Sequence, residues 1–322
     1  MNEVRKKIYF RADANATIGY GHFVRSLALA DMLKYDFDCT FFTVSPTGYQ
    51  IQEMGEVCKY VSLEEETKYD DFLTRLTGEE IVWLDNYYFT SEYQKQIKDL
   101  GCKLVCIGSN DRHYYSDVVV NYFKDASEFS AEMYTTFCVG LEWCLLRKPF
   151  QVGEFRRERN HDLVICYGGT DQFFLTEKTV TLLREIDPHR KIHVIATDAF
   201  YEQRLQELKQ QGVLVHVNAN ASEVATLFNN CGLAIVSAST VAQEAISCGI
   251  PVVAGYYVDN QIEFYYFLNR HSYVMGIGNM LEVHFEKKFI EVVESFMGGK
   301  LQCNPLDIRG VKERYIAQFK CL

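Results

Sequence analysis

The stretch Arg11-Ala-Asp-Ala-Asn-Ala-Thr-Ile-Gly-Tyr-Gly-His-Phe-Val-Arg25 decides the reading of the fold. Before it lies the short apolar segment Ile8-Tyr9-Phe10, and a helical pattern follows from Phe23 to Leu33. The segment reads as strand, loop and helix. In α/β sheets, ligands bind at the carboxyl ends of the strands. The loop after this first strand carries two glycines, an acid, a histidine and two arginines, more chemistry than a connection needs.

Working outward, strand-like segments at 8–11, 39–44, 80–85, 102–107 and 117–121 alternate with helical patterns at 22–34, 49–55, 69–77 and 91–100. Such alternation predicts a parallel sheet covered by helices. The polar run from Arg147 to Asn160 predicts a linker, after which the pattern restarts. Strands are expected at 162–167, 191–196, 213–217, 233–237 and 251–255. Helices are expected at 175–186, 199–211, 222–230, 240–248, 260–270, 284–297 and 309–319. At 322 residues the chain is too long for one typical core. It reads as two doubly wound, Rossmann-like α/β domains, 1–150 and 151–322, facing across a cleft, a favoured place for ligands. The last helix is expected to pack back on the first domain.

A net charge of −10 argues against nucleic-acid or anionic-membrane partners, which want a basic face. Eleven cysteines form no Cys-x-x-Cys pair, and most lie in apolar runs, as buried residues in a reducing compartment do. Met1 to Lys7 is not followed by a signal-peptide core, and no apolar run reaches the roughly 18 residues of a membrane span. These features predict a cytoplasmic, soluble protein.

Two loops of the second half match the first in character. Tyr167-Gly-Gly-Thr-Asp171 follows a strand and leads to a helix, as does Ser237-Ala-Ser-Thr-Val-Ala-Gln-Glu244. Small residues there let backbone N–H groups approach a phosphate, and the helix N-terminus adds partial positive charge. Glu244, one turn after such a loop, can reach a ribose diol.

Other motifs narrow the chemistry. Gly19-Tyr-Gly21 begins a dinucleotide fingerprint, but Val24 stands at the third glycine and the partner acid is missing. No Gly-Lys-Ser/Thr is present, so there is no P-loop. Asp36-Phe-Asp38 falls at the end of the sheet away from ligands and reads as a solvated turn. His189 and His193 do not share a helical face, which disfavours a zinc pair. His22 serves either as a packed residue at a helix start or as a base; the glycines before it open the backbone and favour the base. A helix N-terminus lowers an imidazole's pKa, and a neutral imidazole can take a proton from water. Asp85-Asn-Tyr-Tyr88 ends a strand on the ligand side. Asp259 reads as a helix cap, with Asn260 and Gln261 left as sugar-hydroxyl partners.

Taken together, Arg11-Ala-Asp13, Ile18-Gly-Tyr-Gly-His22 and Arg25 resemble the opening of the PseG family. These are UDP-2,4-diacetamido-2,4,6-trideoxy-β-L-altropyranose hydrolases of pseudaminic acid biosynthesis, related to SpsG-type spore-coat polysaccharide proteins. The resemblance continues through Asp85-Asn-Tyr87, Gly140 to Phe150, Gly168-Gly-Thr-Asp171, Ser237 to Glu244, Gly249-Ile-Pro251 and Asn260-Gln261. The glycine-rich and Glu-x-x-x-x-Gly-x-Pro pieces are shared with MurG-like GT-B glycosyltransferases. The family implies a GT-B fold and hydrolysis of a UDP-sugar at the anomeric carbon, with release of UDP and no metal or other cofactor.

On this resemblance His22 matches the catalytic histidine, Tyr87 and Asn260 lie near the sugar, and Glu244 takes the uridine ribose. Asp13 is expected to orient His22 or the sugar, and Arg11 to aid the diphosphate. Gly19, Gly21, Arg25, Gly168, Gly169, Thr170, Ser239, Thr240 and Gln261 complete the expected substrate contacts. Two departures stand out. The family's Asp-Asp pair falls where this chain has Ile107-Gly-Ser-Asn-Asp-Arg112, and a glycine of the Ser-x-x-Thr loop is replaced by Ala238 or Ser239. A monomer with a UDP-sugar substrate and UDP product is expected. The alternatives are a UDP-sugar glycosyltransferase with a saccharide or lipid acceptor, a hydrolase of a different UDP-amino-sugar, and a non-catalytic nucleotide-sugar binder. The acidic helical stretches of residues 49–100 count against a lipid acceptor.

Overall fold

The computed structural model describes residues 5–15, 18–109, 112–151, 158–169, 171–304 and 310–322. The chain divides into unit 1, Met1–Arg147 with Ile308–Leu322, and unit 2, Lys148–Asp307.

Unit 1 alternates strand and helix through β1 (Lys7–Ala12), α1 (Gly21–Leu33), β2 (Asp38–Val44), α2 (Gly48–Val57), β3 (Lys59–Leu63), α3 (Lys68–Leu73), β4 (Ile81–Asp85), α4 (Ser91–Asp99) and β5 (Lys103–Ile107). Shorter strands follow: β6 (His113–Tyr114), β7 (Val118–Asn121), β8 (Ser130–Ala131) and β9 (Thr136–Val139). Seven strands form a parallel sheet in the order β3-β2-β1-β4-β5-β7-β9. Central strands buried on both faces read as apolar runs, and β4 (Ile-Val-Trp-Leu-Asp) is buried at every position. Phe42, Leu84 and Leu104 pack on one face with Phe72, Tyr93 and Ile97. On the other, Phe41 contacts Phe10 and Phe23. Side chains cap the helices where loops enter them: Thr47 and Gln50 form a capping box on α2, and Thr90 caps α4.

Unit 2 repeats the plan with β10 (Leu163–Cys166), α5 (Leu175–Ile186), β11 (Ile192–Ala196), α6 (Glu202–Gln210), β12 (Leu214–Val217), α7 (Ala221–Asn230), β13 (Leu233–Ser237), α8 (Thr240–Ser247), β14 (Val252–Tyr256), α9 (Ile262–Arg270), β15 (Met275–Asn279) and α10 (Phe285–Met297). Its six strands are parallel, in the order β12-β11-β10-β13-β14-β15. The chain then returns to unit 1 through α11 (Val311–Lys320), which packs on α1; Tyr315 donates to the Trp143 carbonyl at 2.7 Å.

Besides the two-residue strands β6 and β8, which pair with each other, three strands of the main sheets lie outside the sequence-based expectation: β3, β9 and β15. All are edge strands. In β3 only Leu63 is buried, so the apolar signal is weak. Two glycines mask β15, and at Gly276 a Cβ would strike the side chains of Asn269 and Tyr265. All eleven cysteines are free thiols. Among the described residues no helix is long and apolar enough to cross a membrane.

In each sheet the connections reverse direction at one point. In unit 1 this lies between β1 and β4, in unit 2 between β10 and β13. The loops beyond such a switch point splay apart and leave a crevice, the standard ligand position in open α/β sheets. At this end of unit 1, His22 lies in the first turn of α1 and Asp85 ends β4; in unit 2 the loops after β10 and β13 carry Gly168 and Ser239.

Candidate functional site

The unit 1 site is built at its switch point. The backbone turns back after β1, where Gly19 donates to the Asn15 carbonyl at 2.9 Å with φ +78°. A Cβ there would meet open space, so it is the left-handed backbone, not crowding, that calls for glycine. Gly21 then opens α1, placing His22 in its first turn. The imidazole is 3% exposed, and its Nδ1 lies 2.7 Å from Asp85 Oδ1 at the end of β4.

Asp85 is saturated. Arg25 grips it through Nε at 2.5 Å and through Nη2, and the Ser26 hydroxyl donates to it at 3.1 Å. Burial opposes its ionisation, but Arg25 and His22 outweigh burial and hold the carboxyl far below the usual carboxylate range. For His22, burial lowers the pKa below 6.5; Asp85 pushes it back up and Arg25 pushes it down. The direction is the one expected from a helix N-terminus, but the principal cause is burial.

These charges fix the tautomer. Arg25 Nη2 also lies 2.9 Å from His22 Nδ1, yet a guanidinium only donates and Asp85 only accepts. With Asp85 ionised and nearer, Nδ1 carries the proton and donates to it. The lone pair is then on Nε2, away from the carboxylate. Asp85 was legible as a ligand-side residue but not as the partner of His22.

Beside the pair is a cavity of about 40 Å³, lined among others by His22, Arg25, Asn86, Tyr87, Gln94 and Arg112. Tyr87 is 52% exposed and sets its ring edge-on to His22, centroids 4.4 Å apart. Arg112 secures the Tyr87 loop by donating to the carbonyls of Tyr87 at 2.8 Å and Phe89.

Two expected site residues have a different place. Arg11 is fully buried, bonded to Asp13 at 2.5 Å and stacked over Phe89 at 5.4 Å, so it cannot meet a diphosphate. Asp13 accepts from Arg11, from the Val44 N–H at 2.8 Å, from the Thr43 hydroxyl at 3.2 Å and from the Tyr88 hydroxyl. It ties three strand ends together and makes no hydrogen bond to His22. Arg25 lines the cavity, but its Nε and Nη2 are committed to Asp85.

The two loops of unit 2 expected to meet a diphosphate lie at the ends of β10 and β13. Gly168 follows β10 with φ +96°, and the exposed Gly169 receives a hydrogen bond on its carbonyl from Thr197. Thr170 lies outside the described residues. Asp171 takes the first N–H groups of α5, Leu175 at 2.9 Å and Thr176 at 3.0 Å, and is itself held by Arg204 at 3.0 Å. Arg204 also binds Glu177 and stacks over Phe200 at 4.0 Å. The glycine loop is thereby anchored from below.

At the second loop Ser239 occupies the N-cap of α8 with its hydroxyl 3.1 Å from that of Ser237 rather than on the helix, and Thr240 is the first helical residue. Glu244 is 3% exposed. Asn260 is exposed on the turn before α9, whereas the Gln261 side-chain oxygen accepts from the Tyr257 N–H at 3.1 Å. Away from these loops, Asp36 and Asp38 pair with Lys320 at 2.8 Å and Lys59 at 3.1 Å, and His193 bonds His216 at 2.9 Å. Among the described residues no group of three or more His, Cys, Asp or Glu side chains is arranged to hold a metal ion.

No family model matches the chain. It is similar to the UDP-2,4-diacetamido-2,4,6-trideoxy-β-L-altropyranose hydrolase of Campylobacter jejuni, 28% identical over 266 residues, which are 79% of this chain and 93% of that protein. It is 27% identical over 282 residues to an uncharacterized protein of Methanocaldococcus jannaschii; the match takes in 80% of this chain but only 57% of that longer protein. Acinetobacter baumannii MurG aligns with a TM-score of 0.67 at 11% identity, over 98% of this chain and 100% of that one. Phytolacca americana UGT2, complexed with UDP-2-fluoroglucose and pterostilbene, aligns with a TM-score of 0.62 at 11% identity, over 100% of this chain and 95% of that one. At such identities the structural likeness speaks for the fold alone: the chain has the α/β architecture of GT-B proteins, as its motifs implied. The motif resemblance to the PseG hydrolases extends to sequence similarity with one of them over 79% of this chain.

Proposed function

We propose that this chain hydrolyses a UDP-sugar at the anomeric carbon, releasing UDP, with His22 as the base that activates water. The observation that carries this reading is the buried His22–Asp85 pair at the mouth of a ligand-end cavity. A histidine whose Nδ1–H is locked to a carboxylate keeps a free lone pair on Nε2. Its depressed pKa keeps it neutral at pH 7, able to accept a proton. Asp85 holds the tautomer and steadies the imidazolium formed when the proton arrives. The similarity to the Campylobacter hydrolase supports a UDP-diacetamido-trideoxy sugar, or a related UDP-amino-sugar, as substrate in surface-polysaccharide biosynthesis.

In this reading unit 2 binds UDP. Backbone N–H groups of Gly168 and Gly169 and the N-terminus of α8 at Ser239 and Thr240 take the diphosphate. Fixed donors stabilise the charge that grows on the leaving phosphate as the glycosidic C–O bond breaks. Glu244 takes the ribose hydroxyls. Tyr87, Asn260 and Gln261 flank the sugar. Water loses a proton to His22 and attacks C1 from the face opposite UDP, so the configuration inverts.

The test is incubation with UDP-2,4-diacetamido-2,4,6-trideoxy-β-L-altropyranose without any acceptor, following UDP release and the anomeric proton by NMR. Release with an inverted first product supports the reading. No release without acceptor, but transfer in the presence of a saccharide, would replace it with a glycosyltransferase.

A further inference from the structure

The cavity beside His22 contains two amide side chains whose orientation is fixed from behind. Gln94, on α4, is 1% exposed and lines the cavity. Its Oε1 accepts the Tyr115 backbone N–H at 3.1 Å, so the NH2 group must face the other way. That NH2 has no partner among the described residues. With its oxygen engaged, Gln94 has its NH2 left as the donor it can offer to the cavity it lines.

Asn86 has the opposite polarity. Its NH2 donates to the Tyr88 hydroxyl at 2.8 Å, Tyr88 donates to Asp13, and Asp13 is a carboxylate held ionised mainly by Arg11 against the burial that opposes it. Each group in that chain can act in one direction only, which leaves Asn86 Oδ1 as the outstanding acceptor. That oxygen is buried and without a partner. The same cavity is lined by Leu84, Phe89 and Cys106, which provide an apolar wall. Arg11 and Asp13 thus gain a role at one remove: they set the polarity of Asn86.

We infer that Gln94 and Asn86 form a pocket for a secondary amide, an N-acyl group on the sugar. The acyl oxygen accepts from Gln94 Nε2, the amide N–H matches Asn86 Oδ1, and the methyl group lies against the apolar wall. A hydroxyl at the same carbon lacks the methyl and carries its donor and acceptor on one atom, without the separation that an amide gives them. A free amine, charged near pH 7, brings donors only to Gln94. The two side chains are therefore specificity-determining residues; the inference rests on the UDP-sugar reading above.

The experiment uses the full chain with the His22→Asn substitution, so that nucleotides survive, and titrates three probes by calorimetry. These are UDP-2,4-diacetamido-2,4,6-trideoxy-altropyranose and the two analogues lacking either acetyl group. Loss of one particular acetyl is expected to weaken binding about tenfold, the worth of one well-made buried hydrogen bond. Gln94→Glu, added to this background, keeps the oxygen that the Tyr115 N–H needs but removes the donor. It is expected to abolish that difference while leaving the affinity for UDP unchanged.

Equal binding of all three probes overturns the pocket whatever the variant does, as does a Gln94→Glu chain that still discriminates. Turnover by the unsubstituted chain separates the two readings. Hydrolysis without acetyl dependence refutes the pocket and leaves the hydrolase reading standing. Acetyl-dependent binding without hydrolysis supports the pocket and refutes the hydrolase reading.

Discussion

Replacing Asp85 with Asn keeps the shape of the side chain and removes the charge around which the unit 1 site is organised. Asp85 accepts from His22 at 2.7 Å, from Arg25 Nε at 2.5 Å, from Arg25 Nη2 and from Ser26 at 3.1 Å. An amide offers one accepting oxygen, so either way round its NH2 faces a donor. Breaking a buried ion pair by removing one partner costs about 3–5 kcal/mol. The Arg25 side chain keeps 19% exposure and can recover some hydration, which puts the expected loss near the lower end, about 3 kcal/mol. For a unit of this size that lowers the unfolding midpoint by about 6–12 °C. The catalytic effect is separate. Without the carboxylate, His22 loses both the control of its tautomer and the stabilisation of its imidazolium, a loss in kcat of about 10²–10⁴-fold. The assay is UDP release at saturating nucleotide, with differential scanning calorimetry on the same samples and UDP titration to show that unit 2 still binds. A variant with near-normal kcat and an unchanged midpoint would refute the proposed pairing.

Three further outcomes follow from the same geometry. The kcat/KM profile should fall on the acid side with an apparent pKa below the ordinary histidine value of 6.5, because burial favours neutral His22; a limb above 7 would contradict the assignment. Stability should follow the same direction. An imidazole whose folded pKa is below its unfolded value weakens the fold as pH drops from about 6.5 through the folded value, and the strongly depressed Asp85 gives up its contribution only below the ordinary carboxylate value of 3.8; unfolding midpoints followed from pH 8 down past that value would show both. In unit 2, Arg204→Met should destabilise by about 3 kcal/mol and weaken UDP binding, because Asp171 and Glu177 lose the cation that anchors the glycine loop; unaltered UDP affinity would remove that loop from the nucleotide site.

Much of this architecture was legible in the chain. The opening strand-loop-helix, the restart after residue 160 and the small-residue loops all follow from apolar runs and punctuation, which depend on local physics. What was not legible depends on distance. The partner of His22 comes from 63 residues further on, and only the adjacency of β1 and β4 brings it near. Arg11 and Asp13 have the residue types of a ligand site, but β1 is central and its end is covered, so both turn inward and bind each other. Their motif is better explained as support for the loops than as contact with a ligand. The helix-terminus argument for His22 gives the same direction of its pKa as the structure, where the cause is burial, which sequence does not reveal. The edge strands β3, β9 and β15 escaped because half-exposed or glycine-rich strands carry little apolar pattern.

The central claim is that His22 removes a proton from water at the anomeric carbon of a UDP-sugar. The most direct measurement compares the unsubstituted chain with His22→Asn on UDP-2,4-diacetamido-2,4,6-trideoxy-β-L-altropyranose, without acceptor, recording UDP release and UDP affinity side by side. The account predicts release by the unsubstituted chain, a fall of about 10²–10⁴-fold in the variant and the same UDP affinity in both. Release at a similar rate from both chains would contradict it.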